Sequence, residues 1–183
     1  AEMGIDKIAE VGRRFGLGSK LGFDLEDERP GIMPDKSWKY GRYSERWHNG
    51  ETVVNAIGQG YVLTTPLQLA VMTARLVNGG YAVRPWITAK IGEQDKTPAP
   101  AEKMPEFSED FLAYILKGME SVVNTAGGTA YGSRIVEAGM EMGGKTGTAQ
   151  VQRITKEQRA KGVKNEDLPW EQRHHALFVG YAP

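Results

Sequence analysis

The stretch Gly143-Gly144-Lys145-Thr146-Gly147-Thr148-Ala149-Gln150 sets an ammonium, two hydroxyls and a bare backbone side by side. Its context reads as an extended strand. In a strand successive side chains point to opposite faces, so Lys145 and Gly147 share one face and Thr146 and Thr148 the other. Glycine at 147 leaves the backbone uncovered, which lets a ligand approach closely. That combination suits an acyl group carrying a carboxylate. The tripeptide Lys-Thr-Gly by itself fits an ordinary strand with a glycine kink equally well, so the decision rests on its surroundings.

Downstream, residues 152–173 are dense in Lys, Arg, Glu and Gln and poor in apolar side chains, the composition of a long exposed loop. His174–Tyr181 then alternates, with His175, Leu177, Val179 and Tyr181 on one face. Two strands flanking one loop predict an antiparallel pair. Upstream, Ile5, Ile8, Val11 and Phe15 predict a helix over about residues 2–15, stopped by Gly16 and Gly18. Thr65-Pro66-Leu67-Gln68 has the composition of a capping box with proline at the first helical position. Leu67, Ala70, Val71, Ala74 and Val77 form the apolar stripe of that helix, and Asn78-Gly79-Gly80 ends it. A third helix starts at Ser108, with a wide apolar face from Phe111 to Val123, and a short helical piece follows Gly128. A strand is expected at Leu21–Leu25 and another at Val83–Ile91, with surface excursions at about 26–50 and 152–173. Helices with an antiparallel sheet place the chain in the α+β class.

Composition excludes several functions. Basic and acidic residues balance at 23 each among 183, so no electrostatic case exists for nucleic acid. Cysteine is absent, which removes disulfides and thiolate metal sites. No run of about 18 apolar residues occurs. His174-His175 points its two rings to opposite faces of a strand, and the acidic cluster Asp24, Glu26, Asp27 and Glu28 lacks calcium-loop spacing. Neither metal nor cofactor is expected. The aromatic-basic run Trp38 to His48 reads as aromatics pinning an irregular loop, and Gly58-Gln59-Gly60-Tyr61 as a turn without the third glycine of a dinucleotide site.

Four blocks, taken in order, resemble a known family. They are Asn55-Ala56-Ile57-Gly58-Gln59-Gly60-Tyr61, Thr65-Pro66-Leu67-Gln68-Leu69-Ala70, Gly144-Lys145-Thr146-Gly147-Thr148-Ala149 and His175-Ala176-Leu177-Phe178-Val179-Gly180-Tyr181-Ala182-Pro183. Their order and separation resemble the later part of the transpeptidase domain of class B penicillin-binding proteins of the cell-elongation type, whose signature set includes Lys-Thr-Gly. The resemblance implies one partial transpeptidase domain over residues 1–183 with a β-lactamase/transpeptidase-like fold, incomplete at both ends.

The same resemblance assigns roles. Lys145 holds the second-motif serine and supports proton movement, Thr146 and Thr148 bind the carboxylate of a D-Ala-D-Ala stem or a β-lactam, and Gly147 completes the substrate-binding segment. The Thr148 N–H is one oxyanion donor. The reaction implied is serine acyl transfer, with a periplasmic location, an inner-membrane anchor outside this chain, and SEDS-type glycan polymerase and elongation-complex partners. None of the six serines, at 19, 37, 44, 108, 121 and 133, is followed three places later by lysine, and no second-motif triplet is read among them. Both motifs are therefore expected upstream, in a longer enzyme, and this chain alone is expected to be inactive. A non-catalytic β-lactam-sensing or scaffolding domain on the same fold is the alternative.

Overall fold

The structure is a computed structural model and describes residues 3–23, 26–151, 155, 157 and 160–183. In chain order its elements are α1 (Gly4–Arg14), α2 (Lys36–Tyr43), α3 (Asn49–Ala56), α4 (Pro66–Val77), β1 (Lys90–Ile91), β2 (Gln94–Asp95), α5 (Glu109–Asn124), β3 (Gly143–Ala149) and β4 (His175–Tyr181). Two antiparallel pairs, β1 with β2 and β3 with β4, complete an α+β architecture.

α4 forms where its capping box lies. The Thr65 hydroxyl accepts the Gln68 N–H, and the Gln68 side-chain oxygen accepts the Thr65 N–H, both at 3.1 Å. The apolar stripe needs correction, since Ala70 is exposed whereas Gln68, Thr73 and Arg75 are buried. These polar side chains are buried because each has work to do on the backbone of another segment or of its own helix. Gln68 Nε2 donates to Ser19 O at 2.9 Å and Pro30 O at 2.8 Å, tying the 19–30 loop to the helix. Arg75 donates to Arg14 O at 2.6 Å, closing the C-terminal end of α1, and to Val83 O. Gln68→Leu removes the donor from two part-buried carbonyls, at about 1 kcal/mol each. The expected result is a clear fall in melting temperature of the full-length protein, measured by calorimetry.

Several expected elements are absent for identifiable reasons. Residues 21–23 are not a strand: the Glu28 carboxylate accepts the N–H groups of Leu21, Gly22 and Phe23 at 2.5, 3.2 and 3.2 Å. Those donors are not available to a ladder, and residues 24 and 25 of that expected strand lie outside the described residues. The strand expected at Val83–Ile91 shrinks to Lys90–Ile91, because Arg75 takes the Val83 carbonyl and Pro85 has no N–H. In α1 the buried positions are Ile5 and Ala9, with Val11 exposed.

The stretch 26–50 holds α2 and the start of α3, not only irregular chain. Asp35 caps α2 by accepting the Trp38 N–H at 2.7 Å. Between α2 and α3 lies a polar core: the Lys39 ammonium, buried, donates to Glu51 at 2.6 Å and to Arg46 O at 2.9 Å, and the Tyr61 hydroxyl donates to Glu51 at 3.2 Å. The rings of Trp38, Tyr43 and Trp47 gather around Tyr61, with centroids 5.3, 5.7 and 6.2 Å from it. Trp38, Tyr43 and Trp47 of this run therefore pack around Tyr61, while Tyr40 stays exposed.

Partial burial disfavours ionised Glu51, but the Lys39 ammonium and the His48 N–H outweigh it and hold its carboxyl below the ordinary 4.5. A carboxyl with a depressed folded pKa stabilises the fold above its unfolded pKa and loses that contribution as pH falls. The stabilisation from Glu51 is therefore full near neutrality and fades as pH falls from about 4.5 through the lower folded value. Urea unfolding of wild type and Glu51→Gln should differ most at neutral pH and converge as pH drops through the carboxylate range.

A second cluster packs Phe15, Met104, Phe107 and Leu112 together, with Phe15 and Phe107 ring centroids 4.7 Å apart. It joins the end of α1 to the start of α5. α5 begins at its expected cap, Ser108, and carries Leu112, Met119 and Val123 inward. Its wide apolar face is narrower in fact, since Phe111 stays 46% exposed and stacks on Phe107. α5 in turn packs against β3, and a short 3-10 turn, Tyr131–Ser133, supplies the helical piece after Gly128.

Candidate active site

β3 and β4 run antiparallel in a register pairing Lys145 with Val179, Thr146 with Phe178, Gly147 with Leu177 and Thr148 with Ala176. Directly opposed residues share a face, so Lys145 and Gly147 lie with Val179 and Leu177, and the two threonines with Phe178 and Ala176. The glycines divide sharply. A Cβ at Gly143 would meet the Tyr181 ring at 2.6 Å, and one at Gly144 would meet Phe178 at 2.3 Å and Val179 O at 2.8 Å. These two are glycines because the rings of β4 and its backbone press on them. At Gly147 the nearest atom is Leu177 Cβ at 3.8 Å, an ordinary contact. The space over Gly147 is open.

Lys145, Gly147 and Thr148 are exposed and Thr146 is half-buried. The Lys145 ammonium lies along its own strand, donating to Thr146 O at 2.7 Å. The Thr146 hydroxyl is 2.8 Å from that of Thr129, a residue the sequence reading did not single out. Among the described residues β3 pairs only with β4, so the N–H groups on its other edge face away from the pair. The strand thus presents a cation, two hydroxyls, backbone donors and an uncovered glycine on one accessible segment. Such a surface can accept a carboxylate and a polarised carbonyl oxygen.

The far end of the strand pair has a different character. A cavity of about 910 Å³ opens between α4 and α5, lined by Asn78, Leu116, Glu120, Asn124, Gly143 and Tyr181. Burial and then the Glu120 carboxylate push the Tyr181 phenol above its ordinary value. Lys145 through Thr148 do not line this cavity.

The remaining sequence candidates resolve into structural roles. His174 Nδ1 accepts the Val151 N–H at 3.2 Å, and its main-chain N–H donates to Asn165 at 2.7 Å, fastening the loop to the base of β4. Among the described residues no group of three His, Cys, Asp or Glu could hold a metal. One triplet missed in reading the sequence, Ser108-Glu109-Asp110, has the letters of a Ser-x-Asp motif. Its hydroxyl accepts the Phe111 N–H at 3.2 Å, which makes Ser108 the cap of α5. Of residues 152–173, positions 152–154, 156, 158 and 159 lie outside the described residues, and most of the others are exposed.

The penicillin binding protein transpeptidase domain family matches the chain over residues 1–183. Peptidoglycan D,D-transpeptidase MrdA of Escherichia coli is 32% identical over 186 residues, covering 100% of this chain and 29% of that protein. The MrdA of Acinetobacter baumannii is 38% identical, covering 100% of the chain and 27% of the protein. The chain therefore spans less than a third of the length of these relatives. Among solved structures, Pseudomonas aeruginosa PBP2 in complex with WCK 5153 superposes with a TM-score of 0.79 at 36% identity, covering 98% of this chain and 36% of that one. PBP2 of Helicobacter pylori, in its complex with MreC, gives 0.78 at 32% identity, covering 98% and 30%. The backbone arrangement of α4, α5, β3 and β4 thus has its counterpart in solved transpeptidase folds.

Proposed function

The chain belongs to the penicillin-binding protein transpeptidase family, and from that membership we propose that it forms the Lys-Thr-Gly wall of a PBP2-type peptidoglycan D,D-transpeptidase. The observation that carries the reading is the exposed segment Lys145 to Thr148, open above Gly147 and, among the described residues, unpaired along one edge of β3.

Thr146 and Thr148 donate their hydroxyl protons to the terminal carboxylate of a D-Ala-D-Ala stem or the acid group of a β-lactam. Lys145 adds positive potential and assists proton movement at the serines. The main-chain N–H of Thr148 points at the developing oxyanion, and its rigid strand means little reorganisation is needed at the moment of reaction. A serine outside residues 1–183 attacks the carbonyl carbon of the penultimate D-Ala. The terminal D-Ala leaves as the amine with the proton from the serine, and a neighbouring stem amine then displaces the serine to form the cross-link. The parent protein is periplasmic, anchored in the inner membrane by a segment outside this chain, and works beside a SEDS-type glycan polymerase and elongation-complex proteins. Among the described residues no helix is long and apolar enough to cross a membrane.

Covalent labelling by a fluorescent penicillin tests the reading. Full-length protein should carry the label, and peptide mapping should place it on a serine of a Ser-x-x-Lys motif outside residues 1–183. Full-length protein that takes no label would refute the enzyme, and a label on one of the six serines of this chain would refute the assignment of walls.

A further inference from the structure

We propose that Thr129 is a positioning residue that aims the Thr146 hydroxyl at the ligand carboxylate, an inference that rests on the reading of β3 as a carboxylate-binding strand. The two hydroxyl oxygens lie 2.8 Å apart, within hydrogen-bond distance, and the contact joins residues 17 positions apart in sequence. A threonine hydroxyl has one proton to give and lone pairs to accept with. A carboxylate only accepts. If Thr146 gives its proton to Thr129, none remains for the anion. If Thr129 donates into Thr146 Oγ1, the Thr146 proton is left over, and accepting a bond polarises the hydroxyl toward stronger donation. A bound carboxylate therefore selects the arrangement in which Thr129 donates and Thr146 hands its proton on.

The fold holds Thr129 where this can happen. After α5 the chain folds back on the last turn of the helix: Gly128 N–H donates to Thr125 O at 2.9 Å, Ala130 N–H to Val122 O at 3.1 Å and Tyr131 N–H to Gly128 O at 3.1 Å. A Cβ at Gly128 would lie 2.3 Å from Val122 O and 2.7 Å from Ser121 O, so only glycine lets this loop press so closely on the helix. Asn124 Nδ2 donates to Met142 O at 3.0 Å, which ties the same helix end to the residue preceding β3. Thr129 is thus delivered to Thr146 by a loop clamped on one side to α5 and by a helix clamped on the other to β3. Its own side chain is exposed, so replacing it by valine removes a hydroxyl and keeps the shape.

The test uses full-length protein and two probes, a penicillin and its carboxyl methyl ester. Thr129→Val should lower the second-order acylation rate for the penicillin about tenfold with the melting temperature unchanged, and Thr129→Ser should restore it. The ester carries no anion, so Thr129→Val should barely change its already slow rate. Thr129→Val combined with Thr146→Val should be no slower than Thr146→Val alone. Equal losses on penicillin and ester, or failure of serine to rescue, would overturn the positioning role. A loss in Thr146→Val without one in Thr129→Val overturns this inference alone. No loss in either variant overturns the reading of β3 as the carboxylate strand, and this inference with it.

Discussion

Lys145→Ala in the full-length protein should lower acylation by penicillin by about two to three orders of magnitude, equivalent to about 3–4 kcal/mol of lost transition-state stabilisation. The size follows from what the side chain is proposed to do. A fixed ammonium beside the reacting serine favours both proton removal and the developing negative charge. Its removal costs the fold little, because Lys145 is exposed and its ammonium donates to Thr146 O, an exposed contact within its own strand. Melting temperature should therefore hold while the rate collapses. Lys145→Arg should recover only part of it, since a planar guanidinium cannot occupy the place of a compact ammonium. Stopped-flow acylation with a chromogenic β-lactam reads this directly, and rates unchanged in Lys145→Ala would remove Lys145 from the chemistry.

The neighbouring glycines should separate fold from function. Gly147→Ala adds a methyl whose nearest neighbour is Leu177 Cβ at 3.8 Å, so the strand accommodates it and even gains from the lower backbone entropy of alanine. The same methyl stands where the ligand backbone must lie, and acylation should fall about a hundredfold, close to 2.7 kcal/mol. Gly144→Ala should do the reverse. Its methyl would lie 2.3 Å from the Phe178 ring and 2.8 Å from Val179 O. Phe178 is 45% exposed and can swing, but the backbone oxygen cannot, so β3 and β4 must separate locally at about 1–3 kcal/mol. A thermal melt and an acylation rate on each variant make a two-by-two comparison. Matched losses of stability in both variants would contradict the claim that Gly147 is glycine for the ligand.

Local chemistry was legible and distant chemistry was not. The Thr65–Gln68 box, the Ser108 cap, the Gly58–Tyr61 turn and the β3–β4 pair each depend on residues a few positions apart, or on an alternation that pairing must respect. Gln68 shows the opposite case. The sequence marks it only as the capping-box glutamine, outside the apolar stripe, and it is buried because the carbonyls of Ser19 and Pro30 come to it from 49 and 38 positions away. The expected strand at Leu21–Leu25 fails for a related reason: one carboxylate, Glu28, takes its donors, and propensity does not count donors. α2 and α3 carry no periodic apolar signal, because the space between them is filled by buried Lys39 paired with half-buried Glu51. Of the candidate site, Lys145 to Thr148 stood out as a contiguous segment, whereas Thr129 reaches Thr146 only through the fold of the α5 loop. A Gly-Thr pair just after a helix carries no mark of what it will touch.

β3 is proposed to bind the carboxylate and carbonyl oxygen of the acyl group. A crystal structure of full-length protein acylated by a penicillin measures it most directly. The adduct carboxylate should lie within hydrogen-bond distance of Thr146 Oγ1 and Thr148 Oγ1, with the acyl oxygen on the Thr148 N–H and the adduct running along the free edge of β3 beside Gly147. An adduct whose carboxylate is held by another element, with Lys145 to Thr148 facing solvent, would contradict it.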